Sequence, residues 1–179
     1  RAWDVTAEAA GATVPAATVL NEAGEVVWAM ALFSDTLATT DADGGVRIRT
    51  LPPGEQPQRA WVDPSGLATF AVFSRDGRYL VTAGNDYDQG SVRLWDLGRD
   101  EAGTAPLTGT AAATGTLAIT PAATAGGALI GSLAASPKGD QVAAGRGDGT
   151  ITLYDLPGLA APTVLRGPQQ QVTSLAFVP

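Results

Sequence analysis

The stretch Val92-Arg93-Leu94-Trp95-Asp96-Leu97 decides the fold, because its pattern recurs along the chain. Related segments lie at residues 1–5, 46–51 and 151–156. The positions that match Trp95 are Trp3, Arg49 and Tyr154, and the four are spaced 46, 46 and 59 residues apart. Apolar side chains alternate with other residues in these segments, which predicts β-strands with one face buried. The chain is therefore organised as an internal repeat of strands.

A turn and another strand precede each of the last three segments. The turns, at residues 41–44, 85–90 and 146–149, contain Asp and Gly, which favour hairpins because Gly accepts positive φ and Asp bonds to the turn backbone. Small apolar strands are predicted at residues 27–34, 68–74, 130–136 and 172–179, and weaker outer strands at 17–20, 58–62, 115–120 and 163–166. Four short strands in about 45 residues are typical of a propeller blade.

The third strands end in the pairs Trp3-Asp4, Trp95-Asp96 and Tyr154-Asp155, and with this spacing the sequence resembles the WD-repeat β-propeller family. The resemblance implies an all-β fold: a β-propeller segment of about three complete four-stranded blades plus partial blades at both ends. In that family a His bonds to the turn Asp, to a Ser or Thr and to the Trp, and this chain has no His. The Ser or Thr place is taken by Thr39, Thr82 and Ala144. We therefore expect Trp3, Trp95 and Tyr154 to be core or inter-blade residues.

The predicted strands do not complete a ring. We expect one partial propeller over residues 1–179, with a blade remnant at 1–20, blades at about 26–62, 67–120 and 129–166, and the first strand of a further blade at 172–179. Residues 98–114 are predicted to be a flexible insertion. The simplest interpretation is a part of a longer propeller, whose remainder lies on another chain after cleavage or is absent from this sequence.

The composition excludes several kinds of chemistry. The chain has a formal charge of −7 and lacks both His and Cys, so His bases, thiol nucleophiles and thiolate zinc sites are ruled out. The acidic balance argues against binding to nucleic acid, whose phosphates attract Lys and Arg. Residues 102–137 are uncharged, but their Thr, Gly and Pro content argues against a membrane span. No motif predicts a metal or another cofactor, and location is left open, with the cytoplasm favoured.

Acidic loops are predicted to share one rim of the propeller. This rim sums to a formal charge of −6 against −3 for the opposite rim, which suits a basic peptide. If Asp43, Asp88 and Asp148 only build turns, the two rims become equal. The candidate partner-binding residues are Glu22, Glu25, Asp41, Asp63, Asp86, Tyr87, Arg146 and Arg166.

Three functions remain open from the sequence. The leading hypothesis is a non-enzymatic protein–protein interaction or scaffold module within a larger protein, as the family resemblance implies. An alternative is an enzymatic or small-ligand-binding propeller whose site is completed by blades outside this chain, with Asp41, Asp63 and Asp86 as contributors. A third is the structural half of a cleaved propeller, whose partner is the remaining blades on another chain.

Overall fold

The computed structural model describes residues 26–51, 59–62, 68–87, 89–97, 128–156, 158–167 and 170–178. This part of the chain forms eleven β-strands and contains no helix. The predictions for the blade remnant at 1–20, the insertion at 98–114 and the outer strand at 115–120 lie outside the described residues.

The strands form three antiparallel sheets, which we name blades 1, 2 and 3. Blade 1 consists of β1 (Val27–Phe33), β2 (Thr36–Asp41), β3 (Gly45–Thr50) and β4 (Arg59–Val62). Blade 2 consists of β5 (Phe70–Phe73), β6 (Tyr79–Asp86) and β7 (Gln89–Asp96), and blade 3 of β8 (Ile130–Ala135), β9 (Gln141–Arg146), β10 (Thr150–Asp155) and β11 (Ala160–Arg166). Strands adjacent in sequence are adjacent in every sheet. The predicted all-β propeller segment is confirmed.

The hairpin of blade 2 is longer than the sequence predicts. The predicted turn at 85–90 is wrong in extent, because Asn85 and Asp86 pair with Gly90 and Gln89 and extend both strands. The side chain of Asn85 also binds the next blade: its Nδ2 donates to the Ile130 carbonyl at 3.0 Å, and its Oδ1 accepts from the Ile130 amide at 2.7 Å. These two bonds fix Asn85 to an extended backbone on blade 3 and support the longer strand.

The hydrophobic core lies between the blades, because each strand sends alternate side chains to opposite faces of its sheet. One cluster joins blades 1 and 2 and contains Val46, Ile48, Trp61, Phe73 and Trp95 among others. The second cluster joins blades 2 and 3 and contains Val81, Val92, Leu94, Val142 and Tyr154 among others. The expectation that Trp95 and Tyr154 are core or inter-blade residues is confirmed, whereas Trp3 lies outside the described residues.

Hydrogen bonds join the inner-strand segments of blades 2 and 3, and the segment at 170–178, to the blade that precedes each of them. Ala68, Ile130 and Val172 occupy equivalent places, six residues before Ser74, Ser136 and Val178. Their carbonyls accept from Thr40 Oγ1 at 2.6 Å, Asn85 Nδ2 at 3.0 Å and Ser132 Oγ at 2.9 Å, respectively. The segment at 170–178 therefore lies against blade 3 where the inner strand of a further blade belongs.

We predict that Gly77→Ala destabilises the fold far more than Gly139→Ala. The two glycines are equivalent: their amides donate to Ser74 and Ser136 carbonyls at 2.9 Å, and their φ angles are +69° and +83°. Positive φ alone costs a β-carbon about 1–2 kcal/mol. At position 77 the added carbon would also collide with the ring of Phe33, which raises the expected cost to about 3 kcal/mol.

Chemical denaturation of both variants tests this difference. At position 139 the nearest atom to the added carbon is the Cβ of Arg75, at 3.1 Å, so only a small shift is needed. Equal losses of stability in the two variants would contradict the packing of Phe33 on the first turn of blade 2.

Candidate functional site

Three hairpin turns and the starts of the inner strands lie at one end of the blades, which we name rim one. The β2–β3, β6–β7 and β9–β10 turns are at this end, and β1, β5 and β8 begin there. Two equivalent hydrogen bonds connect the turns to those starts: Ala42 donates to the Val26 carbonyl at 3.1 Å, and Gly147 donates to the Leu129 carbonyl at 2.7 Å. In blades 1 and 3 the turn is therefore joined directly to the start of the inner strand.

Several exposed apolar side chains lie on rim one. Tyr87, at the tip of the β6–β7 hairpin, is 97% exposed. Val26 and Leu129, which precede β1 and β8, and Val62, which ends β4, are also exposed. Of this set, only Tyr87 is among the partner-binding residues predicted from the sequence. The other three residues could have been predicted as well, because each is an apolar residue at a strand end beside a predicted turn or loop.

The predicted acidic residues of rim one divide into two kinds. Asp86 is exposed, next to Tyr87. Asp41 is buried: its Oδ1 accepts from the amides of Asp43 at 3.0 Å and Gly45 at 2.7 Å, and its Oδ2 accepts from Arg47. Asp41 thus builds the β2–β3 turn. Glu22, Glu25 and Asp63 lie outside the described residues.

Arg146 is buried inside blade 3, with 7% of its surface exposed. Its guanidinium donates to Thr152 Oγ1 at 3.1 Å, to the Tyr154 hydroxyl at 3.0 Å and to the Ala128 carbonyl at 3.2 Å. The Arg-Gly-Asp sequence at 146–148 therefore does not present its arginine to solvent. Arg146 connects two side chains of β10 to the backbone before β8.

Arg166 lies on the exposed surface at the end of β11. It lines a shallow polar depression with Asp148, Thr150 and Gly167. A hydrogen bond from the Thr150 hydroxyl is the main cause that lowers the pKa of Asp148. Burial opposes this shift, whereas a hydrogen bond from the Thr150 amide and the positive charge of Arg146 lower the pKa further. Asp148 thus contributes to the β9–β10 turn, one of the two roles that the sequence left open.

The end of the blades opposite rim one contains an open groove of about 770 Å³. Its walls are mostly apolar and include Met30, Leu32 and Phe73, with Arg75 at the edge. Arg75 donates to the Pro137 carbonyl at 2.6 Å. Within the described ranges, no three carboxylates are grouped closely enough to hold a metal ion. The same ranges contain no helix long and apolar enough to cross a membrane.

Two segments of the chain, residues 60–96 and 119–155, match the family model "WD domain, G-beta repeat". Each matched segment ends at the aspartate of an aromatic-Asp pair, Trp95-Asp96 or Tyr154-Asp155. The resemblance to WD repeats is therefore confirmed.

The fold is similar to that of two designed propellers. The chain matches the crystal structure of the computationally designed Ika4 protein with a TM-score of 0.60 and 23% identity, over 90% of this chain and 85% of that chain. It matches the computationally designed Ika8 protein with a TM-score of 0.59 and 23% identity, over 86% of this chain and 41% of that chain. At this identity the likeness shows the fold alone. No curated protein matches the sequence.

Proposed function

We propose that this chain of WD repeats is a non-enzymatic module that binds another protein through rim one. WD repeats generally mediate protein–protein interaction and are typically non-enzymatic. The observation that supports rim one is the set of exposed apolar side chains, Val26, Val62 and Leu129, at the same end of the blades as the exposed Tyr87. Exposed apolar groups that cluster beside polar ones are characteristic of interaction surfaces.

Tyr87 is the anchor of the proposed contact. It follows the longer second strand of blade 2 and has a φ of +51°, so a tight turn holds its backbone. A tyrosine offers a large rigid surface and a hydroxyl while losing little conformational entropy, and tyrosines are enriched among the residues that dominate binding energy. Tyr87 thus has the position and the chemistry of such a residue.

The chemistry of rim one suits a partner segment with apolar and basic residues. The exposed carboxylates of Asp43, in the β2–β3 turn, and of Asp86, at the end of β6, lie at this end, and Asp148 lies in the β9–β10 turn. Arg166 adds one exposed positive charge, whereas Arg146 and Asp41 are buried and contribute to the fold. The net acidic character favours a basic partner through complementary charge, and Tyr87 can add a cation–π contact.

We expect Tyr87→Ala to weaken binding of a basic, aromatic-containing peptide by about tenfold. Asp86→Asn should weaken it by about threefold and reduce the dependence of binding on salt. Fluorescence anisotropy with labelled basic peptides, and with acidic peptides of the same apolar content, measures both effects.

The matched controls are Val164→Ala on β11 and Asp155→Asn at the end of β10 away from rim one. Both residues are exposed, and the control variants should bind as the unmodified chain does. Equal binding of basic and acidic peptides, or unchanged binding by Tyr87→Ala, would refute the proposal.

A further inference from the structure

One face of β1 carries a row of exposed apolar side chains, Trp28, Met30 and Leu32, which we name the blade 1 stripe. Met30 and Leu32 are 68% and 61% exposed. The alternate side chains Ala29, Ala31 and Phe33 point the other way and pack against the core between blades 1 and 2. The stripe is therefore the face of blade 1 that points away from blade 2.

Strand pairing identifies the residues that match the stripe in blade 2. Met30 and Leu32 pair with Thr39 and Leu37, and Ala71 and Phe73 pair with Thr82 and Leu80 at the same repeat positions. Ala71 and Phe73 are buried in the core between blades 1 and 2. The stripe is thus the equivalent of a surface that is buried elsewhere in the fold, and in the described structure it has no blade against it.

The segment at 170–178 offers the complementary surface. Val172 donates its amide to the Arg146 carbonyl at 3.0 Å, and Leu175 and Phe177 are half-buried. Ser174 and Ala176 point the other way and are exposed. Because Ala68 and Val172 are equivalent, Ser174 and Ala176 match Phe70 and Val72 of β5. The strand pairing in blades 1 and 2 shows that Phe70 and Val72 in turn match Ala29 and Ala31 of β1.

The two surfaces fit each other in size and in charge. Between blades 1 and 2, the small Ala29 and Ala31 belong to the same cluster as the large Phe73. Ser174 and Ala176 are similarly small, and Met30 and Leu32 are large, so the same arrangement can form again. Residues 26–33 and 170–178 contain no charged residue, so their contact would bury no charge.

We propose that a second copy of this chain covers the stripe: the segment at 170–178 of each copy packs on the blade 1 stripe of the other. Among the described residues of one chain both surfaces are exposed, so the segment at 170–178 does not cover the stripe of its own chain. A head-to-tail contact between two different surfaces closes into a ring when the rotation permits it, and two copies then form two identical contacts. The interface continues the packing between blades and is separate from rim one.

Size-exclusion chromatography with light scattering, over a range of protein concentrations, tests the proposal. The full chain should show twice the monomer mass. The double variant Met30→Asp/Leu32→Asp should raise the dimer dissociation constant by at least roughly 100-fold, because it places carboxylates in an apolar contact. Val164→Asp, at an exposed apolar position on β11, is the matched control and should remain dimeric. Circular dichroism checks that each variant is folded.

Two further variants distinguish a head-to-tail contact from other arrangements. Ala176→Arg should also give monomers, and a mixture with Met30→Asp/Leu32→Asp should recover weak heterodimers through the one intact pair of surfaces. Because the chain has no cysteine, Leu32→Cys/Ala176→Cys gives an unambiguous crosslink, and we expect a covalent dimer. A monomeric wild-type chain, a dimer that resists these substitutions, or a crosslink within one chain would overturn the proposal.

Discussion

Replacing Trp95 with alanine is expected to lower the free energy of unfolding by about 4 kcal/mol. Trp95 is 4% exposed, and its ring packs on that of Trp61 with centroids 5.0 Å apart. Its Nε1 donates to Thr82 Oγ1 at 2.9 Å. The substitution therefore opens a cavity between blades 1 and 2 and removes a buried hydrogen bond. Urea denaturation followed by circular dichroism, at one protein concentration, measures the loss.

Two variants separate the contributions to this loss. Tyr87→Ala removes another aromatic ring, but one that is almost fully exposed, and should change stability by less than about 0.5 kcal/mol. Thr82→Val keeps a side chain of similar size but removes the acceptor of the indole bond, and it should cost about 1 kcal/mol. Truncation of a buried Trp is expected to cost several kcal/mol. If Trp95→Ala lowers the free energy of unfolding by about 1 kcal/mol or less, the Trp95 side chain is not part of the inter-blade core.

The strands and their order were predictable because alternate side chains of a strand pack on opposite faces of its sheet, as in blade 2, where both faces are packed. In β7, Val92 and Leu94 face blade 3 and Trp95 faces blade 1, so local alternation already encodes the inter-blade core. The length of the β6–β7 hairpin was not predictable in the same way. It depends on the bonds of Asn85 to Ile130, which lies 45 residues further along the chain, and no local pattern indicates such a partner.

The candidate site was only partly predictable, because turn residues that look alike in sequence differ in burial. Asp86 and Tyr87 are exposed on rim one, as charged and polar residues beside turns usually are. Asp41 and Arg146 are also beside turns but are buried, because each finds several hydrogen-bond partners in its own blade. The sequence contained one signal that Arg146 is buried. Ala144 occupies in blade 3 the position of Thr82 in blade 2, and an alanine cannot accept a hydrogen bond from the aromatic residue of β10.

Arg146→Ala is expected to destabilise the fold by about 4 kcal/mol, an effect comparable to the loss of Trp95. The arginine donates to three groups, of which the Thr152 and Tyr154 hydroxyls belong to buried side chains. Its removal leaves these acceptors without their donor and leaves a cavity beside β10. Urea denaturation measures the loss, and Arg166→Ala, at an exposed arginine, should change stability by less than about 0.5 kcal/mol.

Arg146→Lys tests whether geometry or charge matters at this position. Lysine retains the positive charge, but its single ammonium cannot reach three separated acceptors as the planar guanidinium does, so it should recover less than about half of the lost stability. A double-mutant cycle with Tyr154→Phe should give a coupling energy of about 1–2 kcal/mol between the two side chains. Full recovery by lysine, or a coupling near zero, would show that Arg146 acts through its charge alone. The expected coupling of about 1–2 kcal/mol would instead assign to Arg146, in blade 3, the connecting role that Thr82 has beside Trp95 in blade 2.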